Sequence, residues 1–264
     1  AGSALLQEPA ALAGCVGALV AGADGEIPVS VKMRTGFLDA GLFEANLLAA
    51  EQAGAAFITV HARTRSQQFS GRADWRLLAR AKEVLSVPVV GNGDVFREED
   101  CLHMLAETGV DAVAIARGAL RDPAIFVRCK AALQGGGQAA PSWPEAVGLL
   151  LRHLVREVEE HALGLSGAGR AWGARLRTRP ERRLLRRISR RSPRSMEELE
   201  AEEREAVDGS ARYRLRQLLP HLAESPRAPE GFAGRVRALL RGGSAPGASA
   251  RELVAAVLHA VGSD

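Results

Sequence analysis

Between residues 27 and 117 one physical unit recurs: a short β-branched apolar run, a polar loop, then an amphipathic stretch of helical length. The apolar runs are Ile27–Met33 (IPVSVKM), Ala56–His61 (AFITVH), Val87–Asn92 (VPVVGN) and Ala112–Arg117 (AVAIAR). Their near-continuous hydrophobicity predicts strands buried on both faces, and therefore a parallel sheet with helices outside. The stretches between them predict helices over Leu42–Ala53, Trp75–Val84 and Glu98–Thr108, with Gly54 and Gly109 as C-caps. Two more helices flank the repeat, at Ala10–Gly22 and Pro123–Leu133.

Beyond residue 133 the pattern changes. The segment Gly135–Pro144 (GGGQAAPSWP) reads as a flexible, proline-stopped linker, placed at 134–144. After it come helical patterns at Glu145–Leu163, Ala211–Ala223, Phe232–Leu240 and Ser249–Val261, and no strand. The expected organisation is an α/β unit over 1–133 and an all-helical domain over 145–264. Apolar residues make up 47% of the 264-residue chain, enough to fold both.

Charge sharpens that division. Residues 1–133 carry thirteen Lys or Arg against fifteen Asp or Glu, whereas residues 134–264 carry twenty-two against sixteen. Eleven arginines fall between Arg170 and Arg194, a field suited to phosphate oxygens, although the acidic stretch Met196–Asp208 can neutralise it. This part, near 170–208, reads as an Arg-rich insertion. Aromatics are only 4% of the chain, which argues against a base-stacking sheet and leaves shape and phosphate contacts as the means of holding RNA. Cys15, Cys101 and Cys129 are widely separated, so neither a disulfide framework nor a thiolate metal site is expected; a reducing cytoplasm fits. No apolar run is long enough to predict a membrane span.

Candidate chemistry gathers at the strand ends. Lys32, His61, Asn92 and Arg117 stand at or beside the C-terminal ends of successive strands, spaced by 29, 31 and 25 residues. In a parallel α/β barrel those ends open on one face, so four polar groups converge on one mouth. Lys32, flanked by apolar residues, calls for an anionic partner: a reduced flavin or a rim carboxylate. His61 can donate from one ring nitrogen while a neighbour fixes the other. Gly91–Asp94 (GNGD) brings backbone close to a ligand, with Asn92 and Asp94 as polar neighbours, but it lacks the third glycine of a dinucleotide fingerprint. Arg117 suits a phosphate clamp, or a pairing with Asp94 or Asp122.

Taken together, these segments resemble the tRNA-dihydrouridine synthases. The resemblance runs through VSVKMRTG (29–36), ITVHARTR (58–65) with Gln68, FSGRADW (69–75), VPVVGNGD (87–94), MLAETGVD (104–111) and IARGAL (115–120) with DPAIF (122–126). It covers residues 1–165 closely and continues loosely through RYRLRQLLPH (212–221). It implies an FMN-binding α/β barrel, of (β/α)8 or TIM type, joined to a helical tRNA-binding domain. The implied reaction is reduction of the uracil C5=C6 bond in tRNA: flavin N5 gives hydride to C6, a cysteine protonates C5, and NADPH re-reduces the flavin. By motif match, Lys32 and His61 contact FMN, Asn92, Gly93 and Asp94 line it, and Ala116 and Arg117 hold its phosphate. Arg63 and Arg65 are the candidates for substrate contact.

The chain departs from the family pattern in three places. The N-x-G-C-P loop that carries the catalytic cysteine is absent and is expected upstream of Ala1, since Cys15 falls within a predicted helix. With four of eight barrel strands, the chain reads as the C-terminal portion of a longer enzyme, catalytically incomplete by itself. Ala116 stands where the family has a glycine before its phosphate-binding arginine, and the Arg170–Arg194 segment has no counterpart. Two other functions compete: a non-catalytic basic RNA-binding module, and an FMN barrel oxidoreductase acting on a small molecule.

Overall fold

The structure, a computed structural model, describes residues 2–136, 139–162, 196–240 and 249–262. The chain divides into two compact units, one formed by Ala1–Ala119 with Ile125–Ala139, the other by Leu120–Ala124 with Ala140–Asp264.

The first unit opens with a 3-10 segment, Gly2–Gln7, followed by α1 (Pro9–Ala23), whose proline stands where a helix has no N–H to lose. Strands and helices then alternate: β1 (Ser30–Arg34), α2 (Phe43–Gln52), β2 (Phe57–His61), α3 (Trp75–Val84), β3 (Val89–Asn92), α4 (Glu98–Thr108) and β4 (Ala112–Ala114). After these come α5 (Arg117–Arg121) and α6 (Ile125–Leu133). Helix starts are fixed locally: the Asp74 carboxylate accepts from Arg76 N, and Asp100 accepts from the Phe96 and Arg97 backbone N–H groups at 2.8 and 3.0 Å. Gly109 caps α4 at φ +67, as expected, but α2 is capped one residue early, at Ala53, with Gly54 following at φ +97.

The four strands form one parallel sheet in the order β1-β2-β3-β4. Its register aligns Lys32 with Thr59, Thr59 with Val90 and Val90 with Ala112; two residues on, it aligns Arg34 with His61, His61 with Asn92 and Asn92 with Ala114. Side chains alternate between faces, so these two rows share one face, and Met33, Ile58, Val60, Val89 and Gly91 share the other. The second face is buried, packed with Leu47, Leu78, Met104 and other helix residues in a single core. Gly91 shows how close the helices come: a Cβ there would lie 2.8 Å from Met104 Sδ.

The expectation of burial on both faces needs correction. Ser30, Lys32 and Ala112 are exposed, because among the described residues helices cover one face and nothing packs fully on the other. The strand expected over Ala112–Arg117 also ends sooner, at Ala114, so Arg117 opens α5 instead of closing a strand.

Among its described residues the second unit holds helices and no strand: α7 (Trp143–Ala162), α8 (Met196–Ala223), α9 (Phe232–Ala238) and α10 (Ala250–Val261). The expected 134–144 linker is shorter at its C-terminal end, since Trp143 already begins α7 and is buried. Trp143 packs edge-on against Phe232, with ring centroids 5.2 Å apart, and its Nε1 donates to Arg121 O at 2.7 Å. Leu151, Leu215, Leu219, Leu222 and Val257 complete this core. Ser249 and Glu252 form a reciprocal capping box at the start of α10. The Arg170–Arg194 run lies outside the described residues.

Candidate functional site

The register places Arg34, His61 and Asn92 side by side across three adjacent strands at the C-terminal edge of the sheet. Lys32 lies one layer deeper, level with Thr59. Beyond this edge the loops after β1 and β2 are bound to each other as though the strands continued. Thr35 N donates to Arg63 O at 3.2 Å, Arg65 N to Gly36 O at 2.8 Å and Ser66 N to Phe37 O at 2.9 Å. Arg34 adds to the lock, because its Nη1 donates to the carbonyls of Thr64 and Gln68 at 2.9 and 3.1 Å.

His61 is buried and surrounded by cations. Its pKa is pushed down to about 4, first by burial and then by the charges of Arg34, Lys32, Arg63 and Arg117. The imidazole is therefore neutral near pH 7, with one ring nitrogen to donate and one to accept. Asn92, also buried, donates from Nδ2 to Ala114 O at 2.7 Å, which fixes the amide and ties β3 to β4. Lys32 is more exposed than its apolar flanks suggest; partial burial and the Arg34 charge lower its pKa, and no carboxylate pairs with it among the described residues.

The loop after β3 is held in a conformation most residues avoid. Gly93 has φ +137, and a Cβ there would come within 2.7 Å of Ala73 Cβ; its carbonyl accepts from Trp75 Nε1 at 3.0 Å. Asp94 is also left-handed, at φ +55. Its carboxylate is a hub. Oδ2 accepts from Arg63 Nη2 at 2.7 Å and Ala73 N at 2.8 Å, while Oδ1 accepts from Arg63 Nη1 at 2.9 Å and Arg117 Nη2 at 3.3 Å. Burial pushes the Asp94 carboxyl up, but the Arg63 and Ala73 hydrogen bonds and the charges of Arg63 and Arg117 outweigh it and hold it below its ordinary value.

Arg63 does not stand where a substrate contact was expected. It is 2% exposed, and besides Asp94 its guanidinium donates to Gly71 O at 2.6 Å and Ser70 O at 3.4 Å. Those partners engage Nε, Nη1 and Nη2 inside the unit, so the group acts internally. Arg65 is exposed, and so is Ala116. Arg117 is 27% exposed along its side chain, and its guanidinium lies over two aromatic rings, 4.5 Å from the Phe69 centroid and 5.5 Å from that of Phe96.

Two neighbours of the site went unnoticed in the sequence. Arg34 shares the face of Lys32 because it lies two residues further along the same strand, a signal that alternation alone supplies. Phe69 is 57% exposed in a polar loop, and its ring gathers Arg34, Arg117 and His61 at 5.8, 4.5 and 6.4 Å. The assembled set is a neutral imidazole and a carboxamide ringed by Lys32, Arg34 and Arg117, which suits an anionic ligand with hydrogen-bonding edges. Among the described residues no cluster of three or more His, Cys, Asp or Glu could hold a metal, and no helix is long and apolar enough to cross a membrane. Cys101 and Cys129 are buried, and Cys15 lies exposed on α1.

Comparison with known proteins shows the family of the chain. The family model described as dihydrouridine synthase (Dus) matches residues 1–210. A probable tRNA-dihydrouridine synthase of Mycobacterium tuberculosis is 40% identical over 148 residues, covering 52% of this chain and 36% of that protein. The tRNA-dihydrouridine synthase B of Pseudomonas aeruginosa is 40% identical over 160 residues, covering 59% and 47%. A probable tRNA-dihydrouridine synthase 1 of Synechocystis is 42% identical over 126 residues, covering 46% and 34%. The chain thus matches between a third and a half of the length of these relatives. With four-fifths of its residues under the family model, this chain belongs to the dihydrouridine synthase family.

Proposed function

We propose that this chain is the C-terminal portion of an FMN-dependent tRNA-dihydrouridine synthase, comprising the last four strands of a (β/α)8 barrel and a helical tRNA-binding domain. The observation that carries the reading is the row Arg34–His61–Asn92, with Lys32 beneath it and Arg117 nearby, at the end of a parallel sheet where barrels gather ligand groups. The residues fit the cofactor by their chemistry: a neutral His61 and Asn92 offer hydrogen bonds to a heterocycle, and cations answer its phosphate and any negative charge on its ring. Bound FMN supplies the hydride for reduction of the uracil C5=C6 bond, with NADPH as the source of electrons.

Lys32 and His61 hold the ring, Asn92 and the Gly93 loop shape its seat, and Arg117 beside Ala116 takes the phosphate. Arg65, exposed at the loop end, is the substrate contact we retain. In the family the cysteine that protonates uracil C5 is carried by an N-x-G-C-P loop; in this chain Cys101 and Cys129 are buried and Cys15 lies exposed on α1. The localisation that suits a tRNA substrate is cytoplasmic.

Full-length protein should therefore purify with flavin and form dihydrouridine in tRNA that lacks it. Lys32→Ala should lose most of the bound flavin, with a fall in affinity of roughly tenfold or more, while leaving the circular dichroism spectrum unchanged. Undiminished flavin content and turnover in that variant would remove Lys32 from the site.

A further inference from the structure

Asp94 is out of place beside a phosphate ligand. Its carboxylate lies against Arg117, and an uncompensated negative charge there repels the very group that Arg117 is to bind. The contacts are unequal, however. Arg63 engages both carboxylate oxygens, at 2.9 and 2.7 Å, whereas Arg117 reaches one, at 3.3 Å.

We propose that Arg63 is a charge-compensating positioning residue: by clasping Asp94 it cancels the carboxylate, so that the positive charge of Arg117 remains available to a phosphate. This rests on the reading of Arg117 as the cofactor's phosphate ligand. The two arginines differ in the way the division of labour requires. Arg63 is buried and anchored to the carbonyls of Ser70 and Gly71 as well as to Asp94, so it stays in place whether or not Arg117 moves. Arg117 is partly exposed, and its contact with Asp94 is the longer one, at 3.3 Å. Asp94 itself is fixed by Ala73 N and by its left-handed backbone, so it cannot swing away when Arg63 is removed. Without Arg63 the carboxylate has Arg117 as its remaining charged partner in this cluster, and the pair becomes neutral toward an incoming anion.

The test compares FMN with riboflavin, which lacks the phosphate, by fluorescence titration of the flavin-free full-length protein. The ratio of the two affinities isolates the phosphate contact from the ring contacts. Arg63→Gln should lower that ratio roughly tenfold, Asp94→Asn should leave it unchanged or raise it, and Arg63→Gln with Asp94→Asn should recover most of the loss. Asparagine tolerates the left-handed backbone at position 94, so the rescue does not ask for a new conformation. A role confined to packing would weaken FMN and riboflavin alike in every variant, leaving the ratio fixed, and that result overturns the inference. A double variant no better than Arg63→Gln overturns it as well. Should Arg63→Gln fail to fold, Arg63→Met takes its place: a lowered ratio supports the inference and an unchanged one overturns it. Equal affinity of the unaltered protein for both flavins instead removes Arg117 as the phosphate ligand, and this inference with it; flavin binding itself is judged separately by the riboflavin titration.

Discussion

The two units of this molecule keep their polar groups in different places. In the β/α unit the buried set includes Thr35, Asn46, His61, Arg63, Thr64, Asn92 and Thr108, and five of these seven stand at strand ends or in the loops just beyond them. In the helical unit the buried polar residues among those described are Asp122 and Ser225, and the interior is otherwise leucine, valine, alanine, tryptophan and phenylalanine. Burying polar groups costs free energy unless each finds a partner, and their concentration at one edge coincides with the ligand site proposed above. The helical unit buries fewer such groups, and its interior is chiefly apolar.

That contrast can be broken or sharpened by substitution. The largest effect is expected from Phe232→Ala, which removes a fully buried ring packed on Trp143 and should destabilise the helical unit by about 3–5 kcal/mol. Urea unfolding followed by tryptophan fluorescence should show an early transition, while flavin affinity stays near that of the parent. A parallel loss of flavin affinity would mean that the two units do not divide stability from ligand binding as argued.

Gly93→Ala should come next. The φ of +137 and the 2.7 Å approach to Ala73 Cβ together predict a loss of about 3 kcal/mol, read as a lowered urea midpoint, and the loop bearing Asp94 should be displaced. Wild-type stability and flavin binding in that variant would show that the loop has slack.

The smallest effect concerns pH. The folded pKa of His61 is about 4 against an ordinary 6.5, so between these values the unfolded chain binds a proton that the folded protein refuses. The stabilisation is full above pH 6.5 and is lost as pH falls toward 4, a change of about 2 kcal/mol after allowance for solvent screening. His61→Gln should flatten this part of the stability–pH curve, measured by urea unfolding at pH 7 and pH 5. Equal slopes in the two proteins would show that neither burial nor the surrounding cations lowers the imidazole's pKa.

Much of this was legible in the sequence because apolar runs and caps are local signals. The four strands follow from short β-branched apolar runs, the helices between them from amphipathic stretches, and the Gly109 cap from a glycine just past the last helical turn. What escaped depends on contacts between distant positions. Arg63 looks like a surface arginine in HARTR; only the register, which brings the loop after β2 beside Asp94 thirty-one residues later, shows that it is buried. Lys32 was expected between two packed faces because its neighbours are apolar, yet its own face carries Ser30 and Arg34 and is open. Strand β4 ended early because Ile115–Arg117 is apolar enough to continue a strand but instead turns into α5, where a Cβ on Gly118 would collide with Val95 O at 2.2 Å.

The bonds that join residues 35–37 to residues 63–66 make the two crossings one mechanical piece. An insertion or deletion in either would drag its neighbour out of step, so natural variants should change both lengths together or neither, and amides there should exchange with deuterium as slowly as those of the sheet from which they extend.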